Sequence, residues 1–271
     1  MTTNTTQSMT GGDMAQSAGD VQEYRFPQVV TVAPGAPWRW LRKGLEDFRA
    51  APLASAFYGA VLALMGMVLA NFVSDAAYEL AFATGFLLVG PFLAMGIYEI
   101  SRRRESGQPV RLGETLTAWR ANVPAIGFYA IILTLLMAVW IRVSVVVVVA
   151  LFFEGGVPTV QTLFRDILGS ENGLIFLVAY LAAGAGFALL VFASSVVSLP
   201  MLLDRPRMDT LTAMITSFNA LRTNFTPMLL WGIVIVVLTA LGLAALYLGL
   251  IVVLPLIGHA TWHAYREVVK P

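Results

Sequence analysis

The sequence predicts an all-α, polytopic membrane helical bundle with six transmembrane helices. Apolar residues make up 58% of the chain and charged residues only 12%, against about 45–50% and about 25% in soluble proteins. The charges are confined to the ends of apolar tracts that reach the roughly 20 residues needed to cross a bilayer. Composition and charge placement therefore both indicate an integral membrane protein.

Five uncharged tracts carry these spans, and the last of them must hold two. It runs from residue 223 to residue 265, so as one helix it would be about 65 Å long, roughly twice the hydrocarbon core. We expect a turn near Tyr247, Leu248 and Gly249, because glycine supplies backbone freedom. Residues 172–203 are predicted to form one long or tilted helix. The predicted spans are 52–73, 77–100, 123–152, 173–203, 226–246 and 249–267.

Basic residues are concentrated on one side of this predicted arrangement. They precede the first span, lie between spans two and three and between spans four and five, and follow the last span, whereas the opposite side carries only Arg142 and Arg165. Because positive residues stay in the cytoplasm, we predict a bacterial inner (cytoplasmic) membrane location with cytoplasmic N- and C-termini. Residues 38–271 form the single transmembrane domain, and residues 1–37 are predicted to be a disordered or extended cytoplasmic tail.

A recurring unit organises the chain. In residues 208–231 an amphipathic helix is followed by the polar residues Arg222, Thr223 and Asn224 and then by a span that begins near Pro227. We call such a polar junction between an amphipathic helix and a span an elbow. Similar units end at Pro52 and Pro124. The bundle is therefore predicted to consist of three pseudo-repeated hairpins in one orientation, each preceded by an amphipathic interfacial helix. The alternative is that proline, tryptophan and arginine are simply common at membrane interfaces.

Two further segments have helical patterns. Residues 153–171 are predicted to form an amphipathic helix on the outer membrane surface. In the fourth span, Ala179 with Ala183 and Ala182 with Gly186 place small residues at fourfold spacing, which permits close helix approach. This pattern predicts that the fourth span is the central one.

His259 and His263 are the only histidines, and four-residue spacing places them on one side of the last helix. Such a pair could bind haem or a metal; the alternative is that both are polar residues at the membrane interface. No acidic residue separates them to serve as a base, and the chain has no cysteine. We therefore predict no catalytic residue, no metal site and no cofactor. His259 and His263 are the only candidates for cofactor binding.

Other polar residues are predicted to mark the membrane boundary. Glu99 is expected to pair with Arg102 or Arg103, and Arg142 is expected to reach headgroups or Glu154. Asn224 is expected to cap the span that opens near Pro227. The predicted boundary residues are Glu99, Arg142, Asp204, Arg205, Arg222 and Asn224.

Several motifs carry a family resemblance. They are FLLVGPFLAMGIYEISRR in span two, VVSLPMLLDR in span four, NFTPMLLW before span five, VVLPLIGHATWHAYREV at the end, and the opening WRWLRKGLEDFRAAPLASAFYG. Over about residues 38 to 268 they resemble a bacterial integral-membrane family of unknown function, whose members are sometimes labelled cytochrome c oxidase subunit I. That label fails a residue count, because an oxidase catalytic subunit needs six histidines and this chain has two.

The predicted function is a non-enzymatic one. The scarcity of polar residues at mid-span favours an accessory, assembly or scaffold component over an ion carrier, which would need buried polar groups. The alternative is a carrier of a lipid, quinone or other apolar small molecule. Expected partners are membrane lipids and other membrane-protein subunits, with respiratory complexes as a conjecture, and no nucleic acid.

Alkaline phosphatase fusions test the predicted topology. An enzyme fused after Pro271 should stay inactive because the C-terminus is predicted to be cytoplasmic, whereas a fusion within residues 155–170 should be active. Enzymatic activity of each fusion in whole cells, normalised to its expression, is the measurement. The reverse pattern would refute six spans with cytoplasmic termini.

Overall fold

The computed structural model describes residues 26–72, 76–152 and 173–270. In these ranges the chain is helical apart from short connections and an extended segment at residues 26–33. A 3-10 turn, Ala118–Asn122, precedes the long helix that begins at Val123. The helices are α1 (Ala36–Ala50), α2 (Pro52–Phe72), α3 (Ala76–Glu105), α4 (Leu112–Thr115), α5 (Val123–Phe152), α6 (Gly173–Ser195), α7 (Ser198–Asp204), α8 (Thr210–Thr223), α9 (Phe225–Ala244) and α10 (Leu250–Val268).

The membrane helical bundle is confirmed in its general form. Among the described residues, three helical stretches are long and apolar enough to cross a membrane, 112–147, 173–204 and 225–244, and the bent pair α1–α2 would be a fourth. The long helices α2, α3, α5, α6, α9 and α10 each begin within one residue of a predicted span. That each of the six crosses the membrane remains a prediction. The predicted outer helix at residues 153–171, including Glu154, lies outside the described residues.

The amphipathic helix α8 presents its apolar stripe outwards. In α8, Leu211 and Ile215 are 59% and 47% exposed, whereas Thr212, Thr216 and Ser217 are buried against the protein. A helix at the surface of a soluble protein has the opposite arrangement. Outward apolar side chains next to the long apolar helices are what a helix at a membrane surface requires.

The first of these helices turns sharply into its span. The chain bends by 105° between α1 and α2, and Pro52 is the first residue of α2. At that position the missing proline N–H costs no helical hydrogen bond. The elbow predicted from the sequence is therefore present at this junction.

The helix predicted for residues 173–203 is not continuous. It breaks at Val196 and Val197 between α6 and α7, because Pro200 cannot donate a hydrogen bond to the preceding turn. The N–H of Val197 instead donates to Ser217 Oγ at 3.2 Å. A side chain of α8 thus stabilises the break.

The turn between α9 and α10 lies where it was predicted, but glycine does not supply its unusual backbone. Leu246 and Tyr247 have φ values of 54° and 66°, whereas Gly249 has an ordinary helical φ of −61°. A Cβ on Gly249 would lie 2.8 Å from the Cα of Gly242. Glycine is required here because α9 and α10 approach closely.

The central helix is α10, and the prediction that the fourth span is central is wrong. Helix α10 packs most extensively, against α1, α2, α3, α7 and α9, whereas the predicted fourth span, which comprises α6 and α7, contacts chiefly α3, α5 and α8. Gly186 of α6 takes no part in close packing, since a Cβ on this residue would have no neighbour within 4 Å.

Glycines on the neighbouring helices allow α10 to approach. A Cβ on Gly59 of α2 would lie 2.1 Å from the carbonyl oxygen of Ile251, and one on Gly44 of α1 would lie 2.8 Å from the backbone nitrogen of Ala260. Both obstructing atoms belong to the α10 backbone, which cannot rotate away. The α1–α10 and α2–α10 contacts therefore require glycine at these positions.

Gly59→Ala and Gly186→Ala form a matched pair of substitutions. Gly59→Ala should destabilise the protein by about 1–3 kcal/mol through overpacking, whereas Gly186→Ala should be neutral or stabilise by up to about 1 kcal/mol because alanine favours the helix. The midpoint of unfolding in detergent, followed by circular dichroism, measures both. Equal midpoints for the two variants would contradict the close α2–α10 contact.

Candidate functional site

Helix α10 changes character along its length, and its second half carries most of its polar residues. Within residues 259–268, the side chains of His259, Trp262, Tyr265 and Val268 are buried. Several of its polar side chains form hydrogen bonds with residues of α1, α2, α3 and α7. We call these contacts the α10 polar network; its members on α10 are His259, Trp262, His263, Tyr265, Arg266 and Glu267.

His259 is fully buried between two serines. Its Nε2 lies 2.9 Å from Ser55 Oγ of α2, and its Nδ1 lies 2.8 Å from Ser101 Oγ of α3. Both ring nitrogens are therefore engaged with hydroxyl groups, and the imidazole joins three helices. A metal ion or haem iron would have to displace one of these serines to reach a nitrogen lone pair.

The second histidine belongs to an ion cluster. His263 Nε2 donates to Asp47 Oδ2 of α1 at 2.8 Å, and the guanidinium of Arg104 pairs with the same carboxylate. Asp47 is 5% exposed, so its charge depends on these partners for stabilisation. The two histidines thus have different partners, and they do not converge on a common ligand position.

Two further carboxylates attach α10 to α3 and α7. Glu105 accepts hydrogen bonds from the Trp262 indole at 3.0 Å and from Arg266. Asp204, at the end of α7, accepts from Tyr265 Oη at 2.6 Å and from Arg266 Nη1 at 3.2 Å. Arg266 bridges the two carboxylates, so the end of α10 is fixed on both sides.

The carboxylate of Glu267 attaches α10 to the start of α1. It accepts a hydrogen bond from the Trp40 indole at 2.8 Å and pairs with Arg39. Trp40 is fully buried and packs edge-on against Trp231 of α9, with ring centroids 6.0 Å apart. Polar and aromatic contacts therefore meet at the same junction.

Several predicted boundary residues lie near this network. Glu99 is buried and accepts hydrogen bonds from both Arg102 and Arg103, each at 2.7 Å. Arg205 donates to the carbonyl oxygen of Lys270. Arg142 and Arg222, by contrast, are exposed.

Asn224 has a different role from the one its position suggests. It occupies the N-cap position of α9, but its side chain does not cap that helix. Its Nδ2 donates to the carbonyl oxygen of Val30 at 2.9 Å, and its Oδ1 accepts from the N–H of Val32 at 2.8 Å. Asn224 therefore holds the extended segment that leads into α1.

Asn122 makes an equivalent contact one elbow earlier. It lies just before the start of α5, and its Nδ2 donates to the carbonyl oxygen of Met208 at 2.8 Å. Met208 leads into α8, just as Val30 leads into α1. Each asparagine thus connects the start of one long helix to the entry of another amphipathic helix.

Sequence reasoning identified the histidines but missed their partners. Ser55 and Ser101 stand alone in or beside apolar tracts, and nothing local distinguishes them from serines that bond to their own helix. Asp47 gave a usable signal, because it shares with Trp40 and Gly44 the side of α1 opposite the apolar stripe. Side chains on that side contact protein.

The pair Ser55–His259 has the spacing of a nucleophile and its base. Both residues are fully buried, however, and the second nitrogen of His259 contacts Ser101 in place of a carboxylate. In the part of the chain that the structure describes, no group of three His, Asp or Glu side chains could hold a metal ion. The arrangement fixes helices α2, α3 and α10 to one another.

The substitution Asp47→Asn tests the role of the carboxylate charge in the last turn of α1. Burial raises the pKa of Asp47, but hydrogen bonds from His263 and Ser101 and the nearby histidine charges outweigh burial, so the pKa lies below its ordinary value of 3.8. The ionised carboxylate therefore stabilises the fold above about pH 4, and this contribution is lost as the pH falls towards the folded pKa. Asp47→Asn should cost about 3 kcal/mol near pH 7.

Unfolding midpoints measured between pH 3 and pH 7 check this expectation. The difference between wild type and Asp47→Asn should shrink below about pH 4. Glu46→Gln is the matched control, because Glu46 is the next residue in the same helix and its ion pair with Arg42 is exposed. It should change stability by less than about 1 kcal/mol, and an equal effect of both substitutions would refute the role of Asp47.

Comparison with known proteins agrees with the membrane character of the chain. Residues 79–204 match the family model described as "Predicted integral membrane protein (DUF2189)". No curated protein and no solved structure matches the chain. The family match covers slightly under half of the chain, from within α3 to the end of α7, and supports a membrane family of unknown function. The bacterial origin of the family and the mislabelling of its members as an oxidase subunit remain predictions.

Proposed function

We propose that the protein is a non-catalytic accessory, assembly or scaffold component of the bacterial inner membrane that acts through helix contacts. The observation that carries this proposal is the placement of the potentially reactive side chains. His259 and Ser55 are fully buried and hydrogen-bonded within the α10 polar network. Groups that serve in this way to join helices are not available to a substrate.

The outward surface of the long helices supports the same role. Exposed side chains on α5, α6 and α9 are predominantly apolar, for example Val139, Leu181 and Val236. Such surfaces contact lipid or the helices of another membrane protein. An ion carrier would instead need polar groups along a path between the helices.

We further propose three pseudo-repeats in one orientation, with both termini cytoplasmic. The equivalent contacts of Asn122 and Asn224 support this arrangement, because each connects one elbow to the next in the same sense. After the helix-opening prolines, Tyr58, Tyr129 and Trp231 are all buried. Repeats of like orientation are related by an axis along the membrane normal.

Affinity isolation of the tagged protein in mild detergent tests the accessory role. We expect a membrane-protein subunit to copurify in stoichiometric amount, measured by quantitative mass spectrometry against untagged membranes. Ser55→Ala should leave that partner unchanged, because the accessory role needs no nucleophile. In cells that lack the wild-type protein, the partner should be less abundant. Expression of the Ser55→Ala variant in those cells should restore the partner's abundance.

Two outcomes would overturn the proposal. Loss of cellular function in a folded Ser55→Ala variant that still captures its partner would indicate catalysis by the Ser55–His259 pair. Copurification of lipid or quinone without protein, together with transfer of that molecule between vesicles, would replace the accessory role by that of a carrier.

A further inference from the structure

A groove lies outside the α10 polar network, between the start of α5 and the segment that leads into α8. Its volume is about 410 Å³, and it is shallow and largely open to its surroundings. One wall includes Pro124 and Phe128, and the other is formed by residues 206–211. We call it the α5–α8 groove.

Two hydrogen bonds join the walls of this groove. Asn122 Nδ2 donates to the carbonyl oxygen of Met208, and Thr210 Oγ1 donates to the carbonyl oxygen of Ala125, each at 2.8 Å. Thr210 is buried. The groove is thus formed before any ligand binds, which lowers the entropic cost of binding.

The apolar side chains of the groove place it at the membrane interface. Phe128 and Leu211 both line it and are 48% and 59% exposed. Leu211 belongs to the outward apolar stripe of α8, and Phe128 lies in the first turns of the apolar helix α5. The acyl chain of a phospholipid could lie along these two side chains, with the headgroup of the same lipid at the level of the elbow.

Two opposite charges also line the groove. Arg207 and Asp209 are both exposed and lie two residues apart in the α8 wall. Arginine binds phosphate through two parallel hydrogen bonds. The carboxylate of Asp209 accepts from the N–H of Thr212 at 2.9 Å, and a carboxylate with two oxygens can accept several hydrogen bonds at once.

We propose that the α5–α8 groove binds one phospholipid with a phosphoethanolamine headgroup. The phosphate binds Arg207, the primary ammonium donates to Asp209, and an acyl chain lies against Phe128 and Leu211. The trimethylammonium of phosphatidylcholine has no N–H to donate, and phosphatidylglycerol has no cation for Asp209. The charge pair therefore selects the ethanolamine lipid, and this selection does not depend on the proposed accessory role.

Lipid titration of the purified full-length protein, followed by native mass spectrometry, tests this site. The probes are phosphatidylethanolamine, phosphatidylcholine and phosphatidylglycerol with identical acyl chains. We expect the first bound phosphatidylethanolamine to have an affinity about tenfold higher than either other lipid, the equivalent of one charge-assisted hydrogen bond.

Four variants identify the groups responsible. Arg207→Ala should weaken phosphatidylethanolamine binding about tenfold, and Arg207→Lys, which keeps the charge, should retain most of the affinity. Asp209→Asn should abolish the preference for ethanolamine while preserving the helix, because asparagine caps as well as aspartate does. Arg222→Ala is the matched control, since Arg222 is an exposed cation at another elbow and does not line the groove.

The opposite results would overturn the proposal. Equal affinity of wild type and folded Arg207→Ala for phosphatidylethanolamine would show that the bound lipid lies elsewhere on the apolar surface. An ethanolamine preference that survives Asp209→Asn, or tighter binding of phosphatidylglycerol, would refute the assigned headgroup. Helical content and unfolding midpoints of every variant verify that each is folded.

Discussion

The structure depends on the close packing of α10 against its neighbouring helices and on the hydrogen bonds that join α10 to them. Its first half is apolar, but its second half carries histidines and charged residues that hydrocarbon cannot solvate, and each buried polar group left without a partner would cost about 1–3 kcal/mol. Partners can reach these groups only if neighbouring backbones approach, which Gly44 and Gly59 allow. Glycine packing and polar bonding therefore require each other.

This requirement explains why the amphipathic helices serve more than one purpose. In α1, Trp40 and Asp47 face α10 and its partners, whereas Trp38 is exposed on the other side. In α8, small and hydroxyl-bearing residues pack inwards and the apolar stripe faces out. Helix α1 thus covers the α10 polar network with one side, whereas α8 packs against α5, α6, α7 and α9. Both present apolar side chains outwards on the opposite side.

The elbows are connected to one another as well as to α10. Asn122 and Asn224 each bind the backbone that leads into a different amphipathic helix, and the extended segment at residues 26–33 pairs with the chain end at Val268 and Lys270. A substitution that displaces the backbone at one elbow would therefore also displace the backbone that leads into the next amphipathic helix. The α5–α8 groove lies at one of these connections, where an interfacial ligand could influence the contact between two elbows.

The sequence by itself determined the membrane character, the starts of the long helices and the elbow at Pro52, because these follow from local hydropathy, charge and proline chemistry. It also supplied the pairing of Glu99 with Arg102 and Arg103, since residues three or four apart on a helix are neighbours. Only the tertiary structure decided that α10 is central, that Ser55 and Ser101 enclose His259, and that Asn224 holds residues 30–32. These contacts join residues that lie 158 to 204 positions apart, as in the pairs Ser101–His259 and Ser55–His259. The sequence around a small polar side chain in an apolar helix does not indicate which distant residue forms its hydrogen bond.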